Sequence, residues 1–224
     1  MAQKRVLMVA TSHAEMAEGK PTGLWLSEFA EPYDIFRASG VEITVASIKG
    51  GRAPIDPRSL NEETKAKWAE AIRELEDTRP LSEVSADGFD ALFLPGGHGT
   101  MFDFPDDAAL QERVRTFAES GRVVAAVCHG PAGLAHVKLS SGEYLVKGRK
   151  VTAFTNEEEW AVQLDGLMPF LLEDRLRENG ALFQAAPKWS NHVEVDGMLV
   201  TGQNPQSGEA AARKVLELLA AGSN

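Results

Sequence analysis

Short apolar runs alternate with longer amphipathic stretches along this chain. The apolar runs fall at Val6–Ala10, Glu42–Ala46, Ala91–Leu94, Val123–Val127, Val151–Phe154 and Leu199–Thr201, and each predicts a strand. The amphipathic stretches cover Leu24–Ser39, Asn61–Glu76, Asp107–Glu119, Pro131–Val137, Pro169–Asn179 and Ser207–Ala221, and each predicts a helix. Gly180 directly follows one of them, where a glycine commonly ends a helix. Asp196-Gly197, flanked by Val193–Val195 and Met198–Val200, predicts a two-residue hairpin turn. Strands alternating with helices of this length predict an α/β fold with a parallel sheet covered on both faces.

A length of 224 residues suits one such domain with a substantial core. The chain shows no internal repeat, low-complexity tract or interdomain linker, and Gly50–Leu60, with two prolines and two glycines, reads as a surface loop. A net charge of −10, spread along the chain, excludes nonspecific nucleic-acid binding, which needs basic patches. The run Val6–Ala10 is too short for a signal-peptide core, and no stretch approaches a membrane span. One cysteine rules out an intrachain disulfide and fits a reducing cytoplasm. The expected partner is a small molecule.

That single cysteine, Cys128, ends the run Val123-Val124-Ala125-Ala126-Val127 and is followed by His129-Gly130-Pro131. A turn from strand to helix presents a side chain at the sheet edge and at the positive end of the helix dipole. A thiol there is expected to have its reactive thiolate favoured. The alternative, a small buried apolar residue, loses ground to this setting and to the adjacent His129. A second strand end, Ala91–Leu94, runs into Pro95-Gly96-Gly97-His98-Gly99. Glycines there let a ligand approach backbone amides, although the pattern fits neither a P-loop nor the dinucleotide fingerprint. Pro32 lies inside a predicted helix, where it removes the bond to the carbonyl of Glu28. On this evidence alone Glu28 reads as a solvent-facing glutamate. The five histidines are scattered without zinc-like spacing, so no metal is expected. His192 and Glu194 could pair with Cys128 as a rival triad, but they share a segment better read as one arm of the hairpin.

Taken together, Pro95–Gly99, Ala126–Pro131, Val151–Glu159, Gly23–Tyr33 and Val200–Ser207 resemble the ThiJ/PfpI superfamily, most closely its glyoxalase III and heat-shock chaperone branch. The resemblance implies a three-layer αβα sandwich with a mostly parallel, flavodoxin-like sheet. It implies that Cys128 is the nucleophile and that Glu28 lies against it and shares its proton. His129 would be the base and Glu159 the acid that orients it, with Glu157 and Glu158 as rivals in register. Gly96, Gly97 and His98 would form the oxyanion hole and substrate-binding loop, with the His129 amide contributing. The implied activity is a glutathione-independent glyoxalase turning methylglyoxal into lactate, with no cofactor. Alternatives on the same residues are a cysteine amidase, peptidase or deglycase acting on an acyl group, or a non-catalytic chaperone or oxidation sensor. The resemblance also implies a homodimer.

Overall fold

The computed structural model describes residues 3–222. The strands are β1 (Arg5–Ala10), β2 (Glu42–Ser47), β3 (Arg79–Pro80), β4 (Ala91–Leu94), β5 (Val123–Val127), β6 (Lys150–Val151), β7 (Leu182–Phe183), β8 (Val193–Asp196) and β9 (Leu199–Gly202). Seven of them form one sheet in the order β3-β2-β1-β4-β5-β9-β8, parallel except for the antiparallel β8–β9 pair. The β8–β9 pair is the hairpin expected at Asp196-Gly197, with Gly197 at φ 60° as a left-handed turn residue.

The helices are α1 (Leu26–Ala38), α2 (Glu62–Lys67), α3 (Ala69–Glu74), α4 (Thr100–Asp103), α5 (Ala108–Glu119), α6 (Ala132–Ala135), α7 (Asn156–Val162), α8 (Leu172–Glu178) and α9 (Gly208–Ala221). Strand side chains alternate between two buried layers, as a period of two requires. Val6, Met8, Phe93, Ala125 and Val127 pack under Phe29 and Phe36 of α1 and Val215 of α9. Leu7, Val9, Leu92, Leu94, Val124 and Ala126 face Leu110, Val114 and Phe117 of α5. This is a three-layer α/β sandwich with both sheet faces covered.

Several elements depart from the sequence expectation. The stretch Asn61–Glu76 is two helices, because the backbone breaks at Trp68 (φ −113°, ψ 30°). Of Val151–Phe154, only Val151 is in a strand, and that strand pairs with β7 in a separate two-stranded sheet. The chain then turns toward the main sheet: the Thr152 amide donates to Thr201 Oγ1 and the Phe154 amide to the Cys128 carbonyl. The helix expected from Pro131 is the single short turn α6, and the one expected from Pro169 begins at Leu172. Helix α1 starts at Leu26 rather than Leu24 and runs through Pro32. The loop Gly50–Leu60 holds a 3-10 turn at Pro57–Ser59, capped by Asp56.

The end of β5 is where glycine is indispensable. A Cβ on Gly130 would lie 2.2 Å from the Leu94 carbonyl oxygen, and one on Gly96 would lie 2.7 Å from the His129 amide. The two strand ends therefore touch backbone to backbone. We expect Gly130→Ala to destabilise the protein by roughly 1–3 kcal/mol through overpacking. Gly166→Ala, whose Cβ would meet nothing within 4 Å, is the matched control and is expected to be neutral. Urea unfolding of both variants checks this; equal stabilities would refute the packing argument.

Candidate active site

Cys128 follows β5 and has φ 61°, a left-handed conformation that is costly for a residue with a side chain. Strict alternation would turn it away from Val127, yet its side chain stays in the same layer, under α1. The strain is held on both sides: the Cys128 amide donates to the Gly202 carbonyl, and its own carbonyl accepts from Phe154. The side chain is 3% exposed and lines a cavity of about 800 Å³.

Helix α1 delivers Glu28 to this point. Glu28 is fully buried, and neither carboxyl oxygen has a well-formed hydrogen bond. The polar group that bears on it is the Cys128 thiol. Burial raises the Glu28 carboxyl well above its usual range, and the charges of Glu31 and Asp56 add to the shift, opposed by the thiol contact. The acid is therefore held neutral. Glu28 is thus no solvent-facing glutamate.

The expected preference for thiolate is reversed. Burial pushes the Cys128 thiol up, and the nearby carboxylates of Glu28, Glu158 and Glu159 push in the same direction. A neutral Glu28 withdraws its own charge from that set. The helix after the elbow has only four residues, which leaves little dipole to oppose burial.

The thiol has a base beside it. Sγ of Cys128 lies 3.4 Å from Nδ1 of His129, and Nε2 of His129 lies 2.6 Å from Oε2 of Glu159. The other carboxylate oxygen, Oε1, lies 2.7 Å from Nε2 of His98. Burial opposes ionisation of Glu159, but the two histidines together hold its carboxyl well below the ordinary range. Burial, with the charge of His129, lowers His98 to about 4, so that ring is neutral near pH 7. Phe154 packs against the His129 ring, with ring centres 4.4 Å apart.

Among the three consecutive glutamates, each has a different place. Glu159 carries the two histidines. Glu157 is exposed beside Lys188 at 3.7 Å. Glu158 caps α7 through Thr155 and also accepts from the Trp189 amide, Gln203 and Asn204. Thr155 and Glu158 have the Thr-x-x-Glu spacing of a capping box, so this helix was readable in the sequence. Glu158 ties the start of α7 to Trp189 and to the end of β9.

The structure brings Cys128, His129, Glu28, Glu159, Gly97 and His98 together. The Gly97 and His129 amides donate to no other group among the described residues, and both residues line the cavity. Gly96 does not line the cavity; it wedges against the elbow and accepts from the Trp25 amide at 3.1 Å. His192 and Glu194 face each other at 3.1 Å and do not line the cavity either. Arg58 lines it and bonds His98, a residue with no signal in the sequence beyond its place in a loop. Among the described residues, His98, His129 and Glu159 are the one group of histidine and carboxylate atoms close enough to share a cation. Their N–O separations of 2.6 and 2.7 Å are hydrogen-bond distances, shorter than two ligands of one tetrahedral zinc ion keep.

A buried cysteine on a strained turn at the end of a parallel strand, with a histidine and a carboxylate in series, defines a class of cysteine-centred α/β proteins. The chain belongs to the DJ-1/PfpI family, whose pattern matches residues 22–218. It is 33% identical to glyoxalase 3 of Candida albicans, covering 95% of this chain and 97% of the relative. It is also 33% identical to the glutathione-independent glyoxalase HSP31 of Saccharomyces cerevisiae, covering 98% and 99%. Among solved structures, it superposes on the Candida albicans glyoxalase III with a TM-score of 0.86 at 32% identity, covering 96% and 97%. The 24 kDa rapid encystment protein of Francisella tularensis gives 0.93 at 38% identity, covering 97% and 99%.

The neutral state of Glu28 has a consequence for stability. A carboxyl raised in the folded state contributes fully below its unfolded value near 4.5, and that contribution is lost as pH rises toward the folded value. Glu28→Gln keeps the shape and removes the titration. The variant is therefore expected to gain stability relative to the parent as pH rises from 5 to 8. Urea unfolding at both values checks this, and a parallel loss in the two proteins would show Glu28 to be ionised.

Proposed function

We propose that this chain is a glutathione-independent glyoxalase that converts methylglyoxal to lactate on Cys128. The observation that carries the reading is the Sγ–Nδ1–Nε2–Oε2 series through Cys128, His129 and Glu159. Full-length similarity to proteins named glyoxalases supports the choice of reaction.

The thiol adds to the aldehyde carbon while His129 Nδ1 takes the sulfur's proton and passes it to the oxyanion, giving a hemithioacetal and a free base. The Gly97 and His129 amides hold that oxyanion as it forms. His129 then removes the hydrogen on the former aldehyde carbon, giving an enediol. It returns a proton to the neighbouring carbon, which leaves a lactyl thioester on sulfur. Water cleaves the thioester to lactate and restores the thiol, so methylglyoxal plus water gives lactate with no external oxidant. Glu159 stabilises the imidazolium at each protonated stage. Glu28, being neutral, adds no negative charge beside the sulfur when the thiolate forms.

A cavity of about 800 Å³ is far larger than a three-carbon dicarbonyl needs. That size supports a second reading, in which the same cysteine cleaves a bulkier acyl or glycated group. The expected homodimer has exposed apolar side chains available at Trp160, Leu182, Val195 and Met198. No helix among the described residues is long and apolar enough to cross a membrane, and a single cysteine is compatible with a cytoplasmic setting.

The decisive assay follows methylglyoxal loss without added thiol and quantifies lactate. Cys128→Ala is expected to abolish turnover with the fold intact, and His129→Ala to lower it by roughly 10²–10⁴-fold. Lactate formation by folded Cys128→Ala protein would sink the covalent mechanism. Release of amine or ammonia from acyl substrates, with no lactate from methylglyoxal, would favour the second reading.

A further inference from the structure

The carboxylate of Glu159 is shared by two histidines, and only one of them touches the thiol. The other, His98, has its far ring nitrogen Nδ1 at 3.2 Å from Nη2 of Arg58. Arg58 is fixed in turn by Asp56. Its Nε donates to Oδ1 at 3.0 Å, its Nη2 to Oδ2 at 2.6 Å, and its amide to Oδ1 at 2.9 Å. Asp56 is fully buried and also accepts from Thr22 Oγ1. This chain of contacts starts in a surface loop and ends at the nucleophile.

A guanidinium has donors and no acceptor. His98 Nδ1 must therefore be the acceptor, and a neutral imidazole then carries its proton on Nε2. That proton points at Glu159 Oε1. Glu159, holding no proton, accepts from both rings, so His129 donates from Nε2. His129 Nδ1 is then the ring nitrogen that faces sulfur, at 3.4 Å.

The geometry points to Arg58 and His98 as positioning residues that fix the proton of His129 on Nε2 and so reserve Nδ1 for the Cys128 thiol. Neither residue is assigned proton transfer to substrate. The inference rests on the reading of His129 as the base, but its structural half is measurable without turnover.

Removal of Arg58 changes the balance around His98 in a definite direction. The ionic groups facing the His98 ring are Glu159 from α7, His129 from the elbow and Arg58 from the loop; Phe154 beside it is uncharged. Arg58 opposes protonation of His98. Without it, His98 takes a proton at higher pH, draws on the charge of Glu159 and repels an imidazolium at His129, whose ring centre is 4.1 Å away. The base weakens on the acid side of the profile, while the alkaline side is spared.

The test uses nitrogen NMR of imidazole-labelled full-length protein together with the pH dependence of kcat/KM. At pH 7 the parent protein should show His98 as a neutral ring with its proton on Nε2, and His129 with a proton on Nε2 facing Glu159. Arg58→Met should lose the single His98 form, lower kcat/KM by roughly two- to threefold near pH 5, and leave it unchanged near pH 8.5. Arg58→Lys, which keeps a cationic donor, should recover most of the acid-side loss. A parent spectrum with the His98 proton on Nδ1 would overturn the inference even if Arg58→Met failed to fold. So would an Arg58→Met profile lowered equally at every pH, which is the mark of a purely structural role. If the parent makes no lactate, the glyoxalase reading fails while the spectrum still decides the tautomers.

Discussion

The site hangs on the contact between a fully buried carboxyl, Glu28, and a buried thiol, Cys128, on a strained turn. A residue at φ 61° persists only where its surroundings hold it. Here β9 holds the amide, the segment at Phe154 holds the carbonyl, and the glycines of two neighbouring strand ends allow the backbones to meet. The same turn keeps the side chain in the layer under α1, where Glu28 waits. Without that reversal the sulfur would face the α5 side of the sheet and meet neither the carboxyl nor the cavity.

Two buried glutamates lie close to this cysteine in opposite protonation states, and their surroundings explain the difference. Glu28 has no strong donor, and the charges of Glu31 and Asp56 reinforce burial, so the acid keeps its proton. Glu159 is also buried, but two imidazoles point at its two oxygens and overcome the same penalty. Environment alone divides the roles, a neutral acid on one side of the sulfur and an anion behind the base on the other. Glu158, the residue before Glu159, is a third buried glutamate near the sulfur and is committed to organising three chain segments around the cavity.

The main sheet was legible because its strands are compact apolar runs separated by amphipathic helices. The elbow was legible from a cysteine ending such a run before His-Gly-Pro. Glu28 was not legible from its own surroundings, since a glutamate on an amphipathic helix ordinarily faces water; resemblance supplied it. The strand expected at Val151–Phe154 failed because tertiary hydrogen bonds to Thr201 and Cys128 outweigh its β-branched composition. Burial reverses the expected Cys128 shift, and a sequence shows the turn and the dipole but not the depth of burial. Arg58 was hidden for a related reason: a loop arginine gains meaning only when folding places His98 beside it.

The whole arrangement turns on Glu28 carrying a proton beside Cys128 at neutral pH. Infrared difference spectroscopy between the parent protein and Glu28→Gln reads it without any substrate. The parent should show a protonated carboxylic-acid carbonyl band that is absent from the variant and that persists when the pH is raised from 6 to 8. A difference spectrum showing only the loss of an ionised carboxylate would contradict it.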